Sequence, residues 1–282
     1  MQAFSSPSPA QVRAGSSWTP PAGTLGTLTD EAHERAAAAL PTLASLRDQA
    51  RDQPPGPPFS AALRGDRVRV IAEVKRASPT KGDIAPGLDA AVQAAHYVDG
   101  GAAAISVLTE PSRFGGSLQD LRDVASRVHV PVIRKDFLVA PVQLWEARVA
   151  GASAALLIVR ALSPDELVLL TEAARECGLE TIVEIRDERE LERALQADAR
   201  VIGVNNRNLE TLVIDVATAP RLIPSIPADR IAVAESGMRE PSDVESAVGA
   251  GADAILVGSA VSAADSPAEA VRRLAQFIRA AR

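Results

Sequence analysis

The sequence predicts an α/β protein, a (β/α)8 barrel of the TIM type preceded by an N-terminal helical extension. From residue 67 onward, short apolar runs alternate with stretches of helical periodicity, which is the pattern of repeated strand–helix units around a parallel sheet. Eight such units follow one another, and strand-to-strand intervals of roughly 20–34 residues suit parallel crossovers. No G-x-G-x-x-G turn of a dinucleotide-binding open sheet is present. These observations favour a closed barrel.

Eight segments have the composition of buried parallel strands. Most are continuous apolar runs, as expected of strands that helices cover on the outside. They span residues 68–74, 102–108, 131–135, 154–159, 181–185, 201–205, 231–235 and 254–258. The barrel is therefore expected to occupy residues 67–282.

The helices between these strands begin and end at recognisable signals. Ser163 and Ser266 each precede a proline and lie three residues before a glutamate, so each is expected to form a capping box. Ser117 is the expected N-cap of another helix. Glycines expected just after helix ends are Gly151, Gly178 and Gly251.

Two segments precede the barrel. Residues 1–26 are rich in Ser, Pro and Gly and lack the apolar core of a secretory signal, so they are expected to form a flexible leader. Residues 27–66 are expected to form a helical extension. Within it, a helix over 28–50 is expected to break or kink at Pro41, ahead of a Pro-rich linker at 53–58.

Composition narrows the class of ligand. The 282 residues include 30 basic and 36 acidic side chains, a net charge of −6, which argues against nucleic acid or an anionic membrane surface as partner. No apolar run reaches the ~18 residues that a membrane span requires. The single cysteine, Cys177, can form neither an internal disulfide nor a zinc cage and fits a reducing cytoplasm. We expect a small-molecule ligand.

Polar side chains close most of the apolar strands. In a (β/α)8 barrel the active site lies at the C-terminal ends of the strands, so these side chains are candidate functional groups. Glu73 and Lys75 lie two residues apart on the first strand and share a face. The other candidates at strand ends are Arg134, Lys135, Asp136, Glu184, Asn205, Asn206, Arg207, Glu235, Ser236, Gly237, Gly258 and Ser259.

The three lysines of the chain, at positions 75, 81 and 135, all lie at or just after strand ends. Burial or like charges can lower the pKa of an ammonium until it exchanges protons near neutral pH, which a guanidinium does not do. Functional roles are therefore favoured over a structural ion pair for Lys75, Lys135 and Glu184. Neighbouring lysines and arginines are expected to lower the pKa of Lys135 toward about 7–8.

Small residues at the ends of the last two strands indicate an anion site. Ser236-Gly237 and Gly258-Ser259 lie where barrels commonly hold a phosphate, beside the N-terminus of a short helix. Either pair alone would form an ordinary tight turn as often as a phosphate site. Together they favour a phosphate-bearing substrate.

Seven segments carry motifs of one known family. They are IAEVKRASPTKGDI (71–84), GAAAISVLTEPSRFGGSLQDL (101–121), PVIRKDF (131–137), IVEIRDERELERAL (182–195), IGVNNRNLETLVID (202–215), VAESGM (233–238) and GADAILVGSA (251–260). In this order and spacing the chain resembles the indole-3-glycerol phosphate synthases, carboxy-lyases of tryptophan biosynthesis. The resemblance implies a cofactor-free ring closure of 1-(2-carboxyphenylamino)-1-deoxyribulose 5-phosphate to indole-3-glycerol phosphate, with loss of CO₂ and water.

The resemblance also implies a role for each site residue. Lys135 would be the general acid that protonates the ketone oxygen, and Glu184 a catalytic carboxylate in proton transfer. Glu73 and Lys75 would assist dehydration and contact the substrate. Mouth-lining positions that orient hydroxyls and carboxylate would be Asn205, Arg207, Glu235 and Ser236. Phosphate contacts would be Ser78, Gly237, Gly258 and Ser259, and the apolar wall around the anilino ring would be Phe114, Phe137, Leu156, Leu209 and Leu212.

Two positions depart from the pattern of that family. Arg186 stands where histidine is expected, and Ser259 stands where many relatives have glutamate. Neither is expected to carry chemistry, because Arg186 should lie on the face opposite Glu184 and the backbone N–H of Ser259 suffices for phosphate.

Other functions remain open at this point. A phosphoribosylanthranilate isomerase would need a cysteine at the end of the first strand, and a Schiff-base aldolase-like enzyme would need a lysine that traps its substrate. A catalytically dead scaffold barrel should have lost acid/base residues, and none is missing. No metal is expected. The sequence leaves open whether the chain is a monomer and whether it associates with other tryptophan-pathway enzymes.

Overall fold

The computed structural model describes residues 18–80, 82–85, 87–238, 240–280 and 282. Its central element is a closed barrel of parallel strands. The strands are β1 (Arg69–Val74), β2 (Ala104–Leu108), β3 (Val132–Lys135), β4 (Ala154–Ile158), β5 (Glu180–Ile185), β6 (Val201–Asn205), β7 (Ile231–Glu235) and β8 (Ala254–Val257). Each lies at the predicted place to within two residues, so the predicted fold class is confirmed.

Strand β1 closes the barrel because it pairs with β2, the next strand in the chain, and with β8, the last one. Ile71 is opposite Ala104 of β2 on one side and Leu256 of β8 on the other. The other neighbours pair in chain order. Residues of the strands are almost all buried, because one face packs inside the barrel and the other lies under helices.

The N-terminal extension consists of α1 (Gly23–Ala39), α2 (Leu43–Arg51) and the short α3 (Phe59–Ala62). A 3₁₀ turn that contains Pro41 separates α1 from α2, as the predicted break requires. Helix α1 begins inside the predicted leader 1–26, because Glu210 accepts the backbone N–H groups of Ala22 and Thr24 and so orders the start of the helix. Residues 1–17 of that predicted leader lie outside the described residues.

The remaining helices lie between or after the barrel strands. They are α4 (Ala90–Asp99), α5 (Pro111–Phe114), α6 (Leu118–Arg127), α7 (Pro141–Val149), α8 (Pro164–Glu176), α9 (Glu188–Gln196), α10 (Thr218–Leu222), α11 (Pro241–Gly249), α12 (Ser259–Ser262) and α13 (Pro267–Leu274). None of the helices in the described part of the chain is long and apolar enough to cross a membrane.

The helix-start predictions are confirmed at two of three positions. Ser163 forms the capping box of α8 and Ser117 caps α6. The prediction for Ser266 is wrong, since its side chain makes no capping hydrogen bond and Glu269 pairs with Arg272 instead. The helix-end glycines all adopt positive φ, at 88° for Gly151, 75° for Gly178 and 97° for Gly251.

Candidate active site

A cavity of about 400 Å³ opens at the C-terminal ends of the barrel strands. Of the site residues proposed from the sequence, all but Arg134 and Asn206 lie on its wall. Arg134 instead contacts Gln143 and Glu146 of α7, and Asn206 contacts Ser236 and Ala219. Those expected to be catalytic are Glu73, Lys75, Lys135, Glu184, Asn205 and Ser236, and the others are Ser78, Phe114, Asp136, Phe137, Leu156, Arg207, Leu209, Leu212, Glu235, Gly237, Gly258 and Ser259. The barrel therefore gathers side chains that lie far apart in the sequence.

Lys135, the last residue of β3, lies between two carboxylates, Glu184 of β5 and Glu235 of β7. Its Nζ donates a hydrogen bond to Oε2 of Glu235 at 2.8 Å and lies 3.5 Å from Oε2 of Glu184. The Lys135 side chain is 15 % exposed, whereas the two carboxylate side chains are 1 % and 5 % exposed. The ammonium is thus the accessible end of a buried charge cluster.

The charges around Lys135 set the direction of its pKa. Burial lowers this pKa, but Glu235, Glu184 and Glu73 together raise it above the ordinary value for lysine. The predicted lowering is wrong, because the charges that act most strongly on the ammonium are carboxylates and not the lysines and arginines expected there. Burial raises the pKa of Glu235 to about 7, with Glu184 and Glu73 adding to the effect and Lys135 opposing it.

The end of β1 contributes a second ion pair and part of an aromatic wall. Nζ of Lys75 lies 3.2 Å from Oε1 of Glu73 and 5.5 Å from the centre of the Phe114 ring. The rings of Phe114 and Phe137 are 6.5 Å apart. An ammonium beside an aromatic face suits a substrate that carries both an anionic group and a ring.

The turn after β7 has an uncommon backbone conformation. Ser236 has φ of 63° and Gly237 has φ of 82°, and a positive φ is uncommon for a residue with a side chain. Asn206, which is fully buried, donates a hydrogen bond from Nδ2 to the Ser236 carbonyl at 2.9 Å. The residue that follows β6 therefore supports this turn. After the last strand, β8, helix α12 begins at Ser259, directly after Gly258.

Arg207 lies in a short loop after β6, and hydrogen bonds between side chains and backbone hold this loop in place. Its N–H donates to Oδ1 of Asn205 at 2.9 Å, and its Nη1 donates to the Leu212 carbonyl at 2.9 Å. Leu212 itself has φ of 65°. These bonds keep Leu209 and Leu212 at the mouth of the cavity.

Sequence reasoning missed several residues of this cavity wall. Thr24 and Leu28 belong to α1, so the extension covers part of the barrel mouth. Gly203, behind the wall, was also missed, and a Cβ atom there would overlap the carboxylate of Glu235. Gly258, expected as a phosphate contact, leaves room in the same way for the carboxylate of Glu73. The sequence does contain a signal for Gly203, because an isolated glycine inside a buried strand often marks a place where another group approaches the backbone closely.

A second, smaller cavity of about 130 Å³ adjoins the first and shares Glu184 with it. Arg186 lies on the wall of this second cavity together with Glu184 and Ile185. Glu190 also lines it and accepts the Arg186 backbone N–H at 2.7 Å. Burial, with a contribution from Asp187, raises the pKa of Glu190 to about 7.

Among the described residues, neither the cysteine nor a cluster of potential metal ligands belongs to the site. Cys177 is a buried free thiol at the end of α8, and burial raises its pKa to about 12. Within the described ranges, no group of three or more His, Cys, Asp or Glu side chains is arranged to hold a metal ion.

Comparison with known proteins decides the family. The family model for indole-3-glycerol phosphate synthase matches residues 28–274. The chain belongs to this family. Indole-3-glycerol phosphate synthase 1 of Streptomyces coelicolor is 52% identical over 233 residues, covering 83% of this chain and 87% of that protein. The enzyme of a Nocardioides species is 50% identical over 250 residues, covering 88% and 95%.

Family membership also gives the enzyme class, a carboxy-lyase of tryptophan biosynthesis. It favours the synthase over the isomerase, aldolase-like and scaffold alternatives. Among solved structures, 3-hexulose-6-phosphate synthase from Salmonella typhimurium superposes with a TM-score of 0.60 at 16% identity, covering 74% of this chain and 97% of that one. That likeness concerns the barrel fold alone.

Proposed function

We propose that this cavity closes the indole ring of 1-(2-carboxyphenylamino)-1-deoxyribulose 5-phosphate, releasing CO₂ and water to form indole-3-glycerol phosphate. Membership of the synthase family supports the reaction. The observation that carries the assignment of residues is the Lys135 ammonium, which is hydrogen-bonded to Glu235 and faces Glu184 at the mouth of the barrel.

Ring closure begins with attack of the carboxylate-bearing ring carbon on the ketone. Negative charge develops on the ketone oxygen as the carbon–carbon bond forms, and Lys135 donates its proton to that oxygen. The surrounding carboxylates keep Lys135 protonated, because they raise its pKa. A general acid needs this form before the step and a fixed position during it.

Loss of CO₂ and then of water completes the product. The bond between the ring carbon and its carboxylate breaks, and its electron pair restores the aromatic ring. Lys75 then protonates the departing hydroxyl with Glu73 beside it, while Glu184 accepts the proton released as the new double bond forms. The short Lys75–Glu73 and Lys135–Glu184 separations support this division of roles.

Substrate binding uses the remainder of the cavity wall. Backbone groups of Gly237, Gly258 and Ser259 bind the phosphate, helped by Ser78. Asn205, Arg207, Glu235 and Ser236 orient the polar groups near the reacting carbons. The anilino ring packs against Phe114, Phe137, Leu156, Leu209 and Leu212.

An absorbance assay tests this function directly. The purified chain is mixed with the carboxyphenylamino sugar phosphate in buffer containing EDTA and no added cofactor, and indole absorbance is followed. We expect turnover to product with one CO₂ released per indole ring. Absence of indole formation with correctly folded protein would contradict the proposal.

The setting of the reaction is part of the same proposal. We propose a phosphorylated small molecule as the ligand and the cytoplasm as the compartment. The net charge of −6 and the single free thiol support this setting.

A further inference from the structure

The carboxylate of Asp136, directly after Lys135, is buried and fully hydrogen-bonded. Oδ1 accepts from Nη2 of Arg35 at 2.9 Å and from the Phe137 N–H at 2.8 Å. Oδ2 accepts from Oγ1 of Thr109 at 2.7 Å and from Nη2 of Arg134 at 3.2 Å. The Asp136 side chain is only 1 % exposed. Such a carboxylate is costly to bury unless its partners stay in place.

These contacts hold the backbone on both sides of the catalytic lysine. Thr109 follows β2 and donates its own N–H to the Lys135 carbonyl at 3.1 Å. Arg134 donates to Thr109 Oγ1 at 3.2 Å and to the Gln143 carbonyl of α7 at 2.6 Å. Because successive residues of a strand face opposite sides, Arg134 is held on the outer side while Lys135 points into the cavity. Asp136, the residue after β3, lies at the edge of the cavity wall and is fixed there by these bonds.

Arg35 is the one member of this network that the barrel does not supply. It lies on α1, 101 residues before Asp136, and its side chain is 29 % exposed. The other cation at Asp136, Arg134, also pairs with Glu146 at 3.0 Å. Arg35 therefore supplies much of the charge that balances Asp136, and it does so from the N-terminal extension.

We infer that Arg35, acting through Asp136, is a positioning residue for Lys135. This inference rests on the proposed role of Lys135 as general acid. Loss of Arg35 leaves Oδ1 of Asp136 with the Phe137 N–H alone, which loosens the end of β3 on which Lys135 stands. A catalytic group must be held within about 0.5 Å, and a displacement of about 1 Å can cost a hundredfold in rate.

The test compares two arginines of the same extension. Arg35→Met removes the cation at nearly constant length. Arg47→Met is the control, because Arg47 on α2 lies 5.4 Å from the Trp145 ring centre and 3.6 Å from Glu176, contacts that join α2 to the barrel away from Asp136. Steady-state kinetics and melting temperature are measured for both variants and for Arg35→Lys.

We expect Arg35→Met to lower kcat about tenfold with KM within about twofold of wild type, since the substrate anchors are unchanged. Arg47→Met should keep wild-type kcat at a similar melting temperature. Arg35→Lys should recover part of kcat, because it restores the charge without the planar guanidinium.

Three results would overturn the inference. They are an unchanged kcat for Arg35→Met, an equal loss of kcat for Arg47→Met, and a loss confined to KM. Failure of the proposed function looks different, because then the folded wild-type chain would form no indole from the carboxyphenylamino sugar phosphate, and no kcat could be compared. Wild-type activity of Lys135→Ala would remove only the acid role of Lys135 on which the inference rests.

Discussion

Gly203 leaves the space in which the carboxylate of Glu235 lies. A Cβ atom at position 203 would overlap Oε1 of Glu235 and would touch Cδ1 of Ile182 at 3.4 Å. The other oxygen of Glu235 accepts the hydrogen bond from Lys135 at 2.8 Å. The absence of a side chain on β6 is therefore what allows Glu235 to reach across to β3.

Substitution of Gly203 tests this relationship. Gly203→Ala should displace the Glu235 carboxylate and with it the Lys135 ammonium, so we expect kcat to fall about a hundredfold. Gly249→Ala is the matched control, since a Cβ there meets no atom within 4 Å. Steady-state kinetics on both variants check this, and equal kcat values for the two would contradict it.

Removal of the Lys135 ammonium should abolish most of the ring closure. We expect Lys135→Ala to lose about 10²–10⁴-fold in kcat, the usual contribution of a general acid. KM should change little, because the phosphate-binding residues lie on other strands. Substrate binding is measured separately by calorimetry. Turnover above a tenth of wild type would remove Lys135 from the acid step.

Glu184 should matter for catalysis more than for folding. Glu184→Gln keeps the shape of the side chain but removes the charge and the exchangeable proton. We expect kcat to fall at least about 10²-fold with a small change in melting temperature. A structural ion pair would give the reverse pattern, near-normal kcat with a clear loss of stability. Both quantities are measured on the same preparation.

Glu190 should make stability depend on pH. Its pKa rises from the ordinary 4.5 to about 7 on folding, so between these values the folded chain binds more protons than the unfolded chain. Its contribution to stability is therefore full below pH 4.5 and lost as pH rises through about 7.

Glu190→Gln should remove this dependence. The amide oxygen of glutamine can still accept the Arg186 N–H, which Glu190 binds at 2.7 Å, and no charge has to be buried. We expect the variant to melt higher than wild type at pH 8 and close to it at pH 5. Calorimetric melting at both pH values checks this, and a constant difference would contradict the assignment to Glu190.

The strands were predictable because their signal is local. Continuous apolar runs such as 201–205 coincide with observed strands, and the barrel rule then places the polar residues that close them around one cavity. Candidate site residues such as Lys135 and Glu184 follow from that rule without knowledge of any contact.

Other features depend on contacts between distant segments. The start of α1 depends on Glu210, which accepts the N–H groups of Ala22 and Thr24. Ser266 satisfies the capping pattern, yet Glu269 pairs with Arg272 and leaves that box unformed. The link from Arg35 to Asp136 spans 101 residues and has no local pattern.

The succession of strands and helices along the chain, the family and the residues at the strand ends could all be predicted from the sequence, because periodicity, caps and motifs are properties of neighbouring residues. Which charged side chains become neighbours depends on the folded barrel. Lys135 has a raised pKa because Glu235, Glu184 and Glu73 meet it across the barrel. The energy between charges depends on their distance and on the surrounding medium, and both exist only once the barrel has closed.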